Sequence, residues 1–215
     1  PPRPATRVLL LGDSGMVDAS PAIAAMFEAS GATVEGAAAP GFGLSQLGLY
    51  QTWPPYPERW PPVIERFQPD LSVVMLGVWD LNYVKDHSVE DYVAMVEDAL
   101  SVLTAGGGRV LWVAAPPGGY DVQVVNQVYR EVADRHPGVM YFADVGWSLL
   151  GPEGGYPISY VGNDGAVVHL RKGDGWHFCP DGAQRLATVL GASATARGLT
   201  APAEPGWESG GWRRS

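Results

Sequence analysis

Cysteine is almost missing from this chain. Its 215 residues hold one, Cys179, which excludes an intrachain disulfide and any cysteine-built metal site. Basic blocks are missing too. With a formal net charge of −9, the chain is poorly made to hold nucleic acid through phosphate neutralisation, and no such partner is expected. No apolar run approaches the ~18 to 20 residues of a membrane span, and no signal peptide is visible. Charged residues make up only 17%, yet the 46% hydrophobic content argues against general disorder, and the length suits one domain with a full core. The chain opens on Pro1-Pro2-Arg3-Pro4 rather than methionine, so it reads as a mature or excised piece, for which a secreted or cell-envelope location is expected.

What is present starts with Val8-Leu9-Leu10-Leu11-Gly12-Asp13-Ser14, an apolar run rising into a glycine, an acid and a serine. It reads as a buried strand ending in a tight turn that leaves Ser14 where the chain leaves the sheet. Ser20-Pro21 marks the next helix start, which Gly31 stops. A short strand over 33–36 and a small-residue loop with Gly41 and Gly43 follow. Five prolines between Gln51 and Pro62 accompany Trp53, Tyr56 and Trp60, and that density predicts an ordered loop or lid. Its aromatics serve either as a platform for a sugar or acyl chain or as packing for the loop. A short helix at 63–67 is expected before Pro69.

Leu71 to Leu76 reads as a central parallel strand ending in Gly77-Val78-Trp79-Asp80. Ser88 caps a helix whose face carries Tyr92, Val93, Val96, Leu100 and Leu103, ended by Gly106-Gly107-Gly108. A strand over 110–115, a helix capped by Asp121 and a last strand over 139–143 come next. The 151–165 stretch reads as glycine-rich loop, Pro180 opens the final helix, and the chain from Pro202 onward reads as a mobile tail. Strands alternating with helices imply a parallel, doubly wound sheet covered on both faces.

A serine is a weak nucleophile and needs a base that a third group orients. Of the four histidines, His87 sits in a polar loop and His136 ends a helix. His169 lies in an apolar, strand-like setting and reads as an ordinary semi-buried histidine. His177 differs. Asp174 precedes it by three residues across a glycine, so the carboxylate can fold back onto one imidazole nitrogen and leave the other to face a hydroxyl. Asp13 reads as structural, bonding backbone N–H groups of its turn, and Cys179 as a packing residue.

Gly12-Asp13-Ser14 after a strand, glycines in the following loop, Gly77-x-x-Asp80 after the third strand and Asp174-x-x-His177 near the carboxyl end resemble the SGNH/GDSL hydrolase superfamily over residues 7–191. The resemblance implies a three-layer α/β/α sandwich around a five-stranded parallel, flavodoxin-like sheet. It implies Ser14 as nucleophile, His177 as base and Asp174 as orienter. It also implies an oxyanion hole from the Ser14 N–H, a loop glycine (Gly43, with Gly41 second) and an asparagine. The asparagine is absent: Trp79 occupies its place, an indole N–H being a single donor that cannot imitate a carboxamide. Asn82 is the candidate stand-in, and Trp79, Asp80, Asn82 and Trp176 are expected around the substrate. A tryptophan followed by an acid resembles SGNH domains joined to cell-envelope acyltransferases.

The expected function is therefore serine esterase chemistry on small acyl esters such as O-acetyl groups on carbohydrate, with no metal or cofactor. Acyl transfer to a sugar hydroxyl is the alternative, and a non-catalytic carbohydrate-binding module on the same fold is the second. The hydrolase-like domain is expected over 7–200, between an extension over 1–6 and a tail over 201–215.

Overall fold

The computed structural model describes residues 4–46 and 52–214. Gln51, at the expected start of the proline-rich loop, and residues 1–3 of the expected extension lie outside them. Five parallel strands form one sheet in the order β2-β1-β3-β4-β5. They are β1 (Arg7–Gly12), β2 (Thr33–Gly36), β3 (Leu71–Met75), β4 (Arg109–Val113) and β5 (Met140–Ala143). The order reverses beside β1, and doubly wound sheets bind ligands at that point, past the carboxyl ends of the strands.

Alternation along the strands divides the core. Leu9, Leu11, Val74 and Trp112 face α2 (Tyr56–Phe67), α4 (Val89–Thr104) and α5 (Gln123–Arg135). Val8, Leu10, Val73, Met75 and Leu111 face α1 (Ser14–Ala29) and α6 (Pro180–Ala196). A short α3 (Leu81–Asp86) follows the turn after β3. The sheet, its parallel sense and its two covered faces are as the sequence implies.

Several local expectations are corrected. The first helix begins at Ser14 rather than at Pro21, because Asp13 caps it by accepting the Gly15 N–H at 2.8 Å. Ser20 is no cap: its hydroxyl donates to the Met16 carbonyl at 2.7 Å, and Pro21 lies inside the helix. The proline-rich segment is loop only over 52–55; from Tyr56 onward it is helical and forms the first part of α2. Pro57 falls in the first turn, where its missing N–H costs nothing. Pro61 and Pro62 sit inside, at about 3 kcal/mol each. Buried Tyr56, Trp60, Ile64 and Phe67 form one stripe on the core side, each contributing about 1.5–3 kcal/mol, which offsets that cost.

The 151–165 loop carries half of an antiparallel hairpin, β6 (Ser159–Val161) with β7 (Val167–His169). His169, expected half-buried, is exposed on it. The stretch from Pro202 is no free tail: it packs Trp207 and Trp212 on the α1/α6 side of the core, with the Glu204 N–H on the Ala29 carbonyl at 2.9 Å. No helix among the described residues is long and apolar enough to cross a membrane.

Candidate active site

The serine turn is built by close approach. A side chain on Gly12 would meet the Met75 carbonyl oxygen at 2.3 Å, so only glycine lets the end of β1 run against the end of β3. Asp13 then donates its N–H to Met75 O at 3.3 Å, and Ser14 starts α1, half-buried just past the carboxyl end of β1. The N–H groups of a first helical turn have no intrahelical acceptor, and the helix dipole concentrates partial positive charge there.

Asp13 is buried, and this desolvation pushes its carboxyl from the usual 3.8 up to about 7. The Gly15 N–H works against that rise, the nearby Asp80 carboxylate adds to it, and His177 opposes it. A folded-state pKa above the unfolded one means that folding favours the neutral acid. The stabilising contribution is complete below about pH 4 and is lost as pH rises to about 7. Asp13→Asn keeps an acceptor for Gly15 without the charge. Urea denaturation of both proteins across this range is expected to show wild type losing up to about 1.4 kcal/mol per pH unit relative to the variant. Parallel stability curves would show that Asp13 ionises without cost.

The acid–base turn spans 172–178. His177 Nδ1 lies 2.6 Å from Asp174 Oδ2, and the second carboxylate oxygen accepts the N–H groups of Trp176 at 2.9 Å and His177 at 3.0 Å. These bonds, the imidazole's first among them, hold the Asp174 carboxyl down to about 2. Asp174 therefore both shapes the turn and holds the imidazole by its Nδ1. The turn lies against the start of α1: Phe178 donates its N–H to Asp18 Oδ2 at 3.2 Å. Among the described residues no hydrogen bond joins the Ser14 hydroxyl to the imidazole. In ligand-free sites that bond is often long and tightens only with substrate.

Asp80 anchors the third wall. It is fully buried and accepts the Leu44 N–H at 3.1 Å, the Ser45 N–H at 2.8 Å, the Ser45 hydroxyl at 2.6 Å and the Tyr92 hydroxyl at 3.0 Å. Because Tyr92 spends its proton on Asp80, the 2.7 Å contact with Tyr129 is a bond that Tyr129 donates. Burial raises the Asp80 carboxyl above its usual range despite the Ser45 hydrogen bonds. Asp80 is thus the post that holds the 41–46 loop. With no exposed surface it is not a substrate contact, which corrects that expectation.

Gly43 is corrected as well. Its N–H already donates to the Gln46 carbonyl at 2.9 Å, so it is not free for an oxyanion. Its lack of a side chain has another reason: a Cβ there would stand 2.6 Å from Asp80 Oδ1. Gly41, the second choice, has φ +76° and sits in the turn closed by the Phe42 N–H on Ala39 O at 3.1 Å.

Of the other expected residues, Trp79 is half-buried beside Gly43. Asn82 is exposed on α3, which removes the reason to read it as an inward stand-in. Trp176 is mostly buried, edge-to-face with Tyr120 at 5.5 Å, so it supports the turn rather than lining open space. Trp60 and Tyr56 are core residues, and Trp53 ties its indole N–H to Pro40 O at 3.0 Å. His87 stacks on Tyr83 at 4.0 Å, and His136 pairs with Glu97 at the far end of α5. A groove of about 980 Å³ lies at the amino ends of the strands, between the ends of α2 and α4, and neither a histidine nor Ser14 lines it.

Sequence reasoning missed three residues here. Arg171, buried, gives Nη1 to the Trp176 carbonyl at 2.6 Å and Nη2 to the Pro117 carbonyl, binding the turn to the loop after β4. Tyr120 stands exposed over Trp176. Asp18 and the Phe178 N–H pair across 160 positions of sequence, and no local pattern announces such a partner.

A flavodoxin-like sheet with a Gly-Asp-Ser turn after β1 and an Asp-x-x-His turn before the last helix defines the SGNH/GDSL hydrolase fold. Solved structures agree. A carbohydrate esterase of family 3 from Talaromyces cellulolyticus is 16% identical, with a TM-score of 0.63 over 89% of this chain and 97% of its own. The lipase/acylhydrolase from Enterococcus faecalis is 16% identical, TM-score 0.60, over 92% and 98%. A GDSL-like lipase from Bacteroides thetaiotaomicron is 13% identical, TM-score 0.60, over 89% of each. No curated protein matches the sequence. The chain belongs to the DUF459 family, described as a protein of unknown function, which it matches over residues 7–192.

Proposed function

We propose that this protein is a serine esterase acting through an acyl-enzyme on Ser14. The observation that carries the reading is the 2.6 Å contact of His177 Nδ1 with Asp174 Oδ2, in a turn fastened to the helix that Ser14 begins. His177 Nε2 takes the Ser14 proton as Oγ attacks an ester carbonyl, while Asp174 holds the Nδ1 proton and the ring's orientation. The tetrahedral oxyanion faces the Ser14 N–H at the positive end of α1. His177 then protonates the leaving alcohol, and water repeats the sequence on the acyl-enzyme. Small acyl groups on a carbohydrate are the favoured substrate, in keeping with the esterase and acylhydrolase relatives of the fold.

Transfer of the acyl group to a sugar hydroxyl differs only in the second acceptor, and Trp79 in the asparagine position keeps that reading beside hydrolysis. The binding-module alternative has lost its platform, because Trp60 and Tyr56 are core residues. Nitrophenyl esters of graded acyl length, run with and without sugar acceptors, test the reading. Turnover that fluorophosphonate blocks by labelling Ser14 is expected; no turnover and no labelling would overturn it.

With the Gly43 N–H already bonded, the role of Trp79 becomes measurable. As an apolar wall, it predicts that Trp79→Phe keeps kcat on an acetyl ester within about threefold, since most of the aromatic surface remains. A drop of about 10²–10³ without unfolding would instead make the indole N–H an oxyanion donor.

A further inference from the structure

Asp18 lies one helical turn beyond Ser14, on the same face of α1. Its two carboxylate oxygens reach the two ends of a single turn. Oδ1 accepts from Lys172 Nζ at 3.0 Å, and Oδ2 accepts the Phe178 backbone N–H at 3.2 Å. Between those ends lie Asp174 and His177, and the Lys172 N–H closes the turn on the His177 carbonyl at 2.8 Å. The Phe178 ring lies over the first turn of α1, where a Cβ on Gly15 would stand 3.8 Å from it.

We propose that Asp18 is a positioning residue: by holding both ends of the acid–base turn against the serine helix, it sets where the His177 imidazole stands relative to the Ser14 hydroxyl. This rests on the esterase reading above. Asp174 fixes the shape of the turn and the tilt of the ring, but every bond it makes lies within the turn. Asp18 supplies the bond that crosses between the elements. The two halves of the clamp are unequal. Lys172 is about half exposed, and such ion pairs contribute little. The backbone bond to Phe178 adjoins His177 itself, so it carries the positioning.

The test measures kcat and KM on one nitrophenyl acetate and the rate of fluorophosphonate labelling for wild type, Asp18→Ala, Asp18→Asn and Lys172→Met, with a thermal melt of each. A displacement of about 1 Å in a reacting pair costs on the order of 10²-fold, so Asp18→Ala is expected to lose about 10- to 100-fold in kcat and labelling with KM nearly unchanged. Asp18→Asn keeps a carbonyl oxygen for the Phe178 N–H and is expected to recover most of that loss, which separates the backbone bond from the charge. Lys172→Met is expected to stay within about fivefold of wild type. If Asp18→Ala does not fold, Asp18→Ser, too short to reach Phe178, is read in its place. Wild-type labelling together with full activity in Asp18→Ala, or equal losses in the Ala and Asn variants, would overturn the proposal and leave the esterase reading intact. No labelling and no turnover in wild type would overturn the esterase reading and this proposal with it.

Discussion

Ser14→Ala is expected to remove ester cleavage and fluorophosphonate labelling together, with a fall in kcat of about 10⁴- to 10⁶-fold, while the protein keeps its melting temperature. The size of the loss follows from the chemistry: without the hydroxyl there is no acyl-enzyme, and only binding and the helix N-terminus act on a water attack. The fold is expected to tolerate the change, because the helix is capped by Asp13 and the serine side chain makes no hydrogen bond to another described residue. Alanine also suits the first helical position. Turnover undiminished in a folded Ser14→Ala protein would end the esterase reading.

The second large effect belongs to the acid–base turn. His177→Ala is expected to cost nearly as much as loss of the serine, since nucleophile and base act as a unit. Asp174→Asn is expected to cost up to about 10⁴-fold, by letting the imidazole take the wrong tautomer. Losses as large in His136→Ala or His169→Ala would refute the assignment, because His136 sits with Glu97 at the amino end of the sheet, opposite the end where Ser14 lies, and His169 is exposed on the hairpin.

Activity is expected to rise as the solution becomes less acidic, as only a neutral imidazole accepts the serine proton. Asp174, held down to about 2, stays ionised throughout and contributes no slope. Asp13 complicates the profile, for its buried carboxyl titrates near 7 beside the nucleophile. Measuring kcat/KM against pH in wild type and Asp13→Asn separates them: a rising limb that survives in the variant belongs to the histidine, and one that vanishes belongs to Asp13.

Local sequence decided what short-range chemistry can decide. The apolar runs at 71–75 and 110–113, bounded by turn residues, read as buried strands and form them, and Ser88 with Asp91 closes a capping box within four residues. Asp174 and His177 found each other because three residues across a glycine bring a carboxylate back onto a ring. The same local logic misread the segment around Pro61 and Pro62, since proline's cost is local while the gain from burying Trp60 and Phe67 depends on α4 and the sheet arriving from elsewhere. It chose Gly43 as a free donor, because nothing in a glycine's neighbours tells that its N–H bonds Gln46 and that its missing side chain makes room for Asp80. Only the tertiary structure could give Asp80 the role of a buried post or bring Asp18 to Phe178. Those bonds join residues 35 and 160 positions apart, and a side chain that serves a distant backbone leaves no periodicity or spacing of its own in the sequence.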